Sequence, residues 1–438
     1  MIRLVYSFLS LAILFITISC KHDNRFSEIP TQVEDSITEK YSKISHVTFY
    51  IENSGSMFGY VKGSTEFVEV VNKLAQYPNL VEDDIPYSYH MMSGKAKPDT
   101  KKKEVKLEVY DIGNNPNILK SKLTYNGFQS PSSGNSDLNE MFKIALNRAK
   151  NDSISILISD GIYDVGGNDN PLNSLRTEVQ STTTNFIQRL KTENIETLLI
   201  KLESDFDGLY YPANVTNPKG KSVVIKQKRP YYIWIFGNSE LINQYFPENR
   251  INQLKGYVDL ARFRKLSKLQ IPYSAIGYEN IGFKLDFKNA NTYELYKNVA
   301  NTSHFNIAVD FSRLKVSQPY LKNKSNYYCT GNFIVEEIIE IKDPPNKLKP
   351  YLKPLPFIAT HIVTISSSNS PEIGEMIIHL KNILPGWINE SSVDNDYPFD
   401  KSTTETFGFN TLIQGIEEAY KEISNTDDLA LFNIKINK

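Results

Sequence analysis

The sequence has little cysteine and no surplus of charge of either sign. Its 438 residues hold two cysteines, Cys20 and Cys329, and 49 basic against 50 acidic side chains. Near-neutrality removes the electrostatic case for a nucleic-acid partner, which wants a basic stripe. The lysines at Lys95, Lys97 and Lys101 to Lys103 lie beside Gly94 and Pro98 and read as a solvated hairpin tip. Cofactor and nucleophile motifs are also lacking. No Gly-x-Gly-x-x-Gly opens a helix, no phosphate loop ends in Gly-Lys-Ser or Gly-Lys-Thr, and no Gly-x-Ser-x-Gly marks a hydrolase nucleophile. The six histidines are scattered without metal-ligand spacing. Apolar residues are plentiful, at 40% with 12% aromatics, which argues for globular packing. The length points to two domains.

The first residues, "MIRLVYSFLSLAILFITISCKHDN", place Arg3 before an apolar stretch that ends at Ile18, followed by Ser19 and Cys20. The stretch is short for a membrane span and suits an export signal. "TISC" resembles a bacterial lipobox, with Thr17 where that pattern prefers Leu. The resemblance implies a signal peptide over residues 1–19, cleavage before Cys20, and lipid on its sulfur and amino terminus. Two or three acyl chains anchor stably where one does not. The expected location is therefore the bacterial cell envelope, lipid-anchored in the outer membrane and facing either the periplasm or the exterior. Residues 20–43 are polar and read as a tether. With Cys20 lipidated, Cys329 has no disulfide partner and reads as a buried core thiol.

From Ile44 strands and helices alternate. "HVTFYI" and "SISILIS" are apolar runs suited to strands covered on both faces. "EFVEVVNKLAQY" sets Phe67, Val70, Val71 and Leu74 on one helical face, and "DLNEMFKIALNRA" does the same with Leu138, Met141, Phe142 and Ala145. "YYIWIFGNSELINQYF" reads as a strand, a turn at Gly237 and Asn238, and a helix capped by Asn238 or Ser239. The alternation predicts an α/β fold: a doubly wound, mostly parallel sheet with helices on both faces, over residues 44–270. "SDFDGLYYPANVTNPKGKSVVIKQKRP" interrupts it as a β-type excursion at the edge of that domain, with Asp205 to Gly208 in a turn. Residues 271–438 show strands without intervening helices and predict a β-rich domain, a sandwich or an α+β unit. Near the end, Leu412, Ile416, Ala419, Tyr420 and Ile423 form a helical stripe that reads as core.

Ligands of open α/β sheets gather at the carboxyl ends of strands, where Glu52-Asn53-Ser54-Gly55-Ser56 and Asp160-Gly161 both fall. An acid and two hydroxyls on alternate positions supply hard oxygens of the kind magnesium or manganese prefers. Acid-x-Ser-x-Ser after a first strand is similar to the metal-ion-dependent adhesion site of von Willebrand factor A domains. Ser136, in a Gly-containing loop opening a helix, and Asp160, closing a later strand, follow in that family's order. Glu52 stands where the family usually has Asp, and Ser136 where it usually has Thr.

The resemblance implies that Ser54 and Ser56 ligate a divalent cation, Mg2+ or else Mn2+ or Ca2+, directly. Ser136 would do so directly or through water, while Glu52 and Asp160 hold coordinating waters. An open position would then accept an acidic side chain from a protein partner. Asp164, Asn168 and Asp169 lie in a neighbouring loop whose spacing fits no twelve-residue calcium loop, so it reads as solvated. The expected activity is non-enzymatic adhesion or complex assembly. The alternatives are a scaffolding lipoprotein with a degenerate, metal-free site, in which the two acids and the serines merely cap loops, and, third, an accessory to a surface hydrolase.

Overall fold

The computed structural model describes residues 43–96, 105–128, 137–163, 171–212, 222–267, 269–296, 303–314, 316–367, 371–396 and 404–438. The expected signal peptide, Cys20 and the tether up to residue 42 lie outside them. So do Ser136 and the loop with Asp164, Asn168 and Asp169.

Seven strands form the first sheet: β1 (His46–Glu52), β2 (Tyr87–Ala96), β3 (Val105–Gly113), β4 (Ser153–Ser159), β5 (Glu196–Tyr210), β6 (Val223–Gly237) and β7 (Tyr257–Phe263). Their spatial order is β3-β2-β1-β4-β6-β5-β7. At the centre β1 runs parallel to both β2 and β4. Every residue of β4, and all but the first of β1, is at least half-buried on a covered sheet. The β2–β3 hairpin pairs up to Ala96 and Val105 with Lys95 inside β2, and Lys97 and Lys101 to Lys103 lie outside the described residues.

The flank departs from the expected winding. β5 and β6 are joined directly as an antiparallel ribbon in unbroken register from Glu196–Gly237 to Tyr210–Val223. A direct hairpin forces antiparallel pairing, whereas a helical crossover would have returned the chain parallel. β6 therefore slots beside β4 in the opposite sense, while the described part of the excursion pairs only with itself, as a two-stranded extension of β5 and β6 beyond their neighbours β7 and β4. Asp205 to Gly208 are strand, not turn.

Helices cover both faces for local reasons. Glu66–Leu74 is capped by Thr65, whose hydroxyl accepts from the Val68 amide, and it buries Phe67, Val70, Val71 and Leu74. Leu138–Arg148 is capped by Asp137, which accepts from the Glu140 amide at 3.0 Å. Asn238 caps Ser239–Tyr245 through the Glu240 amide at 2.8 Å, as its sequence predicts.

Beyond residue 270 come β8 (Tyr273–Ile281), β9 (Phe283–Leu285), β10 (Thr292–Leu295), β11 (His304–Val309), β12 (Tyr327–Cys329), β13 (Phe333–Glu340), β14 (His361–Ser367), β15 (Gly374–Lys381), the short parallel pair β16 (Ser392–Val393) and β17 (Thr406–Phe407), and β18 (Asp428–Asn437). A five-stranded sheet ordered β12-β15-β18-β10-β9 and a four-stranded sheet ordered β13-β14-β11-β8 share one apolar core. Two sheets facing across a common core are a sandwich. Cys329 is buried there, and burial pushes its thiol up to about 12.

Ser42–Lys438 makes one compact unit. The segment between β15 and β18 leaves the sandwich, and Trp387, Ile388, Phe407, Phe409, Leu412, Ile416 and Tyr420 join the core on one face of the seven-stranded sheet. The stripe on the helix Phe409–Ile423 is core, as read from sequence, although its partner is the first sheet and not the sandwich.

Candidate functional site

Parallel pairing of β1 with β4 matches Ile51 to Ile158, so the next residues, Glu52 and Ser159, leave the sheet side by side. Ser159 donates to Glu52 Oε2 at 2.5 Å and accepts from the Gly161 amide at 2.9 Å. The chain then turns through Gly161 at φ +72°, where a Cβ would come within 2.9 Å of the Tyr232 ring. Only glycine adopts that backbone so close to a ring without strain.

After Glu52 the chain passes Asn53 and Ser54 into a short 3-10 helix, Gly55–Val61, closed by the Met57 amide on the Ser54 carbonyl at 3.0 Å. Ser54 Oγ and Ser56 Oγ lie 3.0 Å apart, and the Ser56 hydroxyl donates to the Asp160 carboxylate. Ser54, Ser56 and Asp160 thus form a continuous oxygen chain across two strand ends, with Glu52 fixed at the seam by Ser159. Glu52 and Asp160 are 1% and 3% exposed, and Ser56 lies nearer the surface. Burial pushes the Asp160 carboxyl above the usual range, opposed by the Ser56 hydroxyl, the Ile162 amide and the Arg229 guanidinium.

The donors are hard oxygens, the type that magnesium or manganese takes. Ligands at about 2.1 Å in octahedral array stand about 3 Å from one another along each edge, the separation of the two serine oxygens. Among the described residues no cluster of three or more His, Cys, Asp or Glu side chains could hold a metal, so a cation here would rely on hydroxyls. Ser136 falls outside the described residues. The helix that follows it begins at Leu138.

Sequence reasoning missed the wall opposite these oxygens. Ser159 pairs with Tyr232, and β6 runs antiparallel, so Arg229 lies beyond the carboxyl end of β4, beside the turn that carries Asp160. Arg229 is 2% exposed. Its guanidinium lies 4.5 Å from the centroid of the Tyr210 ring and donates to the Tyr60 hydroxyl. Tyr210 in turn donates to Asp396 Oδ2 at 2.7 Å, while Tyr232 bonds Thr406 at 3.0 Å and stacks on Phe409 with centroids 4.2 Å apart. The returning C-terminal segment therefore buttresses the site. A lone arginine within "KQKRP" carried no sequence signal that could have set it apart from a solvated strand end.

The β5–β6 ribbon lies across the 3-10 helix at backbone distance. A Cβ on Gly208 would approach the Gly59 Cα within 2.8 Å, and one on Gly59 would enter the Phe206 ring. Glu66 ties the same ribbon to its helix, accepting from the Asp205 amide at 2.8 Å and the Lys228 ammonium at 2.7 Å. Burial alone would raise its carboxyl, but these bonds outweigh burial and hold it down at about 2.

No family model, curated protein or solved structure matches the chain.

Proposed function

We propose that the protein is a lipid-anchored component of the bacterial cell envelope that binds a protein partner, with a divalent cation at Glu52, Ser54, Ser56, Ser136 and Asp160 bridging to an exposed acidic side chain of that partner. The reading keeps the resemblance to von Willebrand factor A domains and treats magnesium as the preferred ion, with manganese or calcium as substitutes. The observation that carries it is the oxygen chain Ser54–Ser56–Asp160, built from two strand ends that the fold brings together. The order β3-β2-β1-β4 also supports it, because it matches the first strands of a doubly wound sheet and puts the chain's exits from β1 and β4 at one place.

A bound divalent ion supplies a Lewis acid with charge left over for a carboxylate. The chain's own residues do the positioning. Ser159 fixes Glu52, the Asp160 carboxylate accepts a hydrogen bond from the Ser56 hydroxyl, and Ser56 Oγ lies 3.0 Å from Ser54 Oγ. Adhesion or complex assembly follows from such a site, and no catalytic step is assigned. Lys201 and Ser391 sit 2.7 Å apart in the manner of a hydrolase dyad, but Ser391 is fully buried and its hydroxyl is committed to the Trp387 carbonyl at 2.6 Å.

One observation favours the scaffold alternative. Arg229 already places a positive charge beside Asp160, as a site that needs no metal would. Melting curves with millimolar magnesium or manganese separate the two readings. We expect stabilisation that Ser54→Ala combined with Ser56→Ala abolishes, and an unchanged wild-type curve would favour the scaffold over the cation site.

A further inference from the structure

A buried arginine beside a carboxylate needs an explanation in any reading of this site, since burying a charge costs several kcal/mol unless it is paired and bonded. Arg229 has three walls. The Tyr60 hydroxyl accepts from it, the Tyr210 ring faces it at 4.5 Å, and Asp160 lies across the turn after β4. Each wall is itself anchored elsewhere. Tyr60 bonds the Pro230 carbonyl, packs its ring edge-on against Phe206 at 4.9 Å, and stands on the 3-10 helix that begins one residue after Ser54. Tyr210 is held by Asp396 from the returning C-terminal segment. The guanidinium is thus locked in place. It is too buried to meet a partner, and Asp160, across the turn after β4, is the carboxylate whose charge it is shown to favour.

We infer that Arg229 is a positioning residue that competes with a divalent cation for Asp160 and so sets how tightly the candidate site takes magnesium. The inference rests on the cation-site reading. A fixed +1 charge near a +2 ion repels it, and in a partly buried setting the repulsion is strong because water screens it little. The same charge stabilises the apo state, since it offsets the cost of burying the Asp160 carboxylate when no ion is bound. Arg229 therefore trades ion affinity for apo stability, and the trade is supported from the far end of the chain through Asp396 and Tyr210.

The test uses the full chain, magnesium alone as the probe, and melting temperature in chelator and across a magnesium titration. Arg229→Gln and Arg229→Met remove the charge, and Arg229→Lys keeps it. Both neutral variants should melt below wild type in chelator, gain more than wild type from magnesium, and reach half-effect at a concentration roughly ten-fold or more lower. Arg229→Lys should keep a wild-type midpoint within about three-fold. If neither neutral variant folds in chelator, folding restored by magnesium supports the inference and failure to restore it overturns it. Equal magnesium midpoints for wild type, Arg229→Gln and Arg229→Met overturn the role of Arg229 while leaving the cation site standing. No magnesium response in any of the proteins overturns the cation site and this inference together.

Discussion

Two buried regions of this molecule are built on opposite rules. The sandwich core is largely apolar, and buried polar side chains there such as Asn306 and His361 are hydrogen-bonded and, at neutral pH, uncharged. Phe283, Tyr293, Phe305 and Phe333 form one ring cluster, Phe432 packs edge-on against Tyr273 and Phe311, and the buried Tyr293 phenol bonds main-chain groups of Ile276 and Asn306. The end of the seven-stranded sheet buries Glu52, Asp160 and Arg229 together with Ser54, Ser159, Tyr60 and Tyr210. Apolar burial stabilises without orientation, whereas buried charge demands a partner for every group. The first region is built to hold. The second spends stability on positioning oxygens and a cation, which is where a binding function is expected.

The contrast can be broken most forcefully from the sandwich. Phe305 is fully buried, with the Tyr293 ring 4.5 Å away and the Phe283 ring 5.1 Å away. Phe305→Ala should cost about 3–5 kcal/mol in chemical denaturation while leaving the size of any magnesium-induced shift unchanged. A lost magnesium response in a folded Phe305→Ala protein would show that the two regions are not independent.

A middle-sized effect sharpens the comparison from the sheet. Glu66→Gln should cost about 1.5–3 kcal/mol, the range for hydrogen bonds to a charged group. Its pH dependence follows from the depressed carboxyl. The folded state holds Glu66 near 2 against an ordinary 4.5, so its contribution is present above 4.5 and is lost as pH falls toward 2. Urea midpoints across that window should converge for wild type and Glu66→Gln at the acid end.

The smallest effect belongs to a histidine. His361 is fully buried in β14 and donates from Nε2 to Gln318 Oε1 at 2.9 Å. Burial holds its pKa below the ordinary 6.5, with Lys322 acting in the same direction and Glu340 against it. Above 6.5 the neutral ring costs nothing. As pH falls below 6.5 the unfolded chain takes up a proton that the folded one resists, and stability declines. His46 and His90 act with the same sign in the first sheet, so His361→Gln should flatten only part of the decline in melting temperature.

The strands and helices that bracket the candidate site were legible in the sequence because each has one clear period. β1 and β4 are short apolar runs, and the helices at Glu66 and Leu138 carry capping residues before their stripes. The direction of β6 was not legible. A run such as Tyr231 to Phe236 is equally apolar in a parallel or an antiparallel strand, and only the hairpin length decides between them. Glu52, Ser54, Ser56 and Asp160 could be named from their places at strand ends. Arg229, Tyr210 and Asp396 could not, because the contact that ties them to the far end of the chain spans 186 positions between Tyr210 and Asp396, a separation no local pattern records.

The return of Trp387 to Tyr420 onto the first sheet has a consequence for how the chain is made. The face carrying Tyr50, Leu157, Tyr232 and Trp234 has its last cover only when residue 420 is present. A polypeptide emerging amino end first from its synthesis would leave that apolar surface uncovered until almost the whole length had appeared, so the first sheet can finish folding only late.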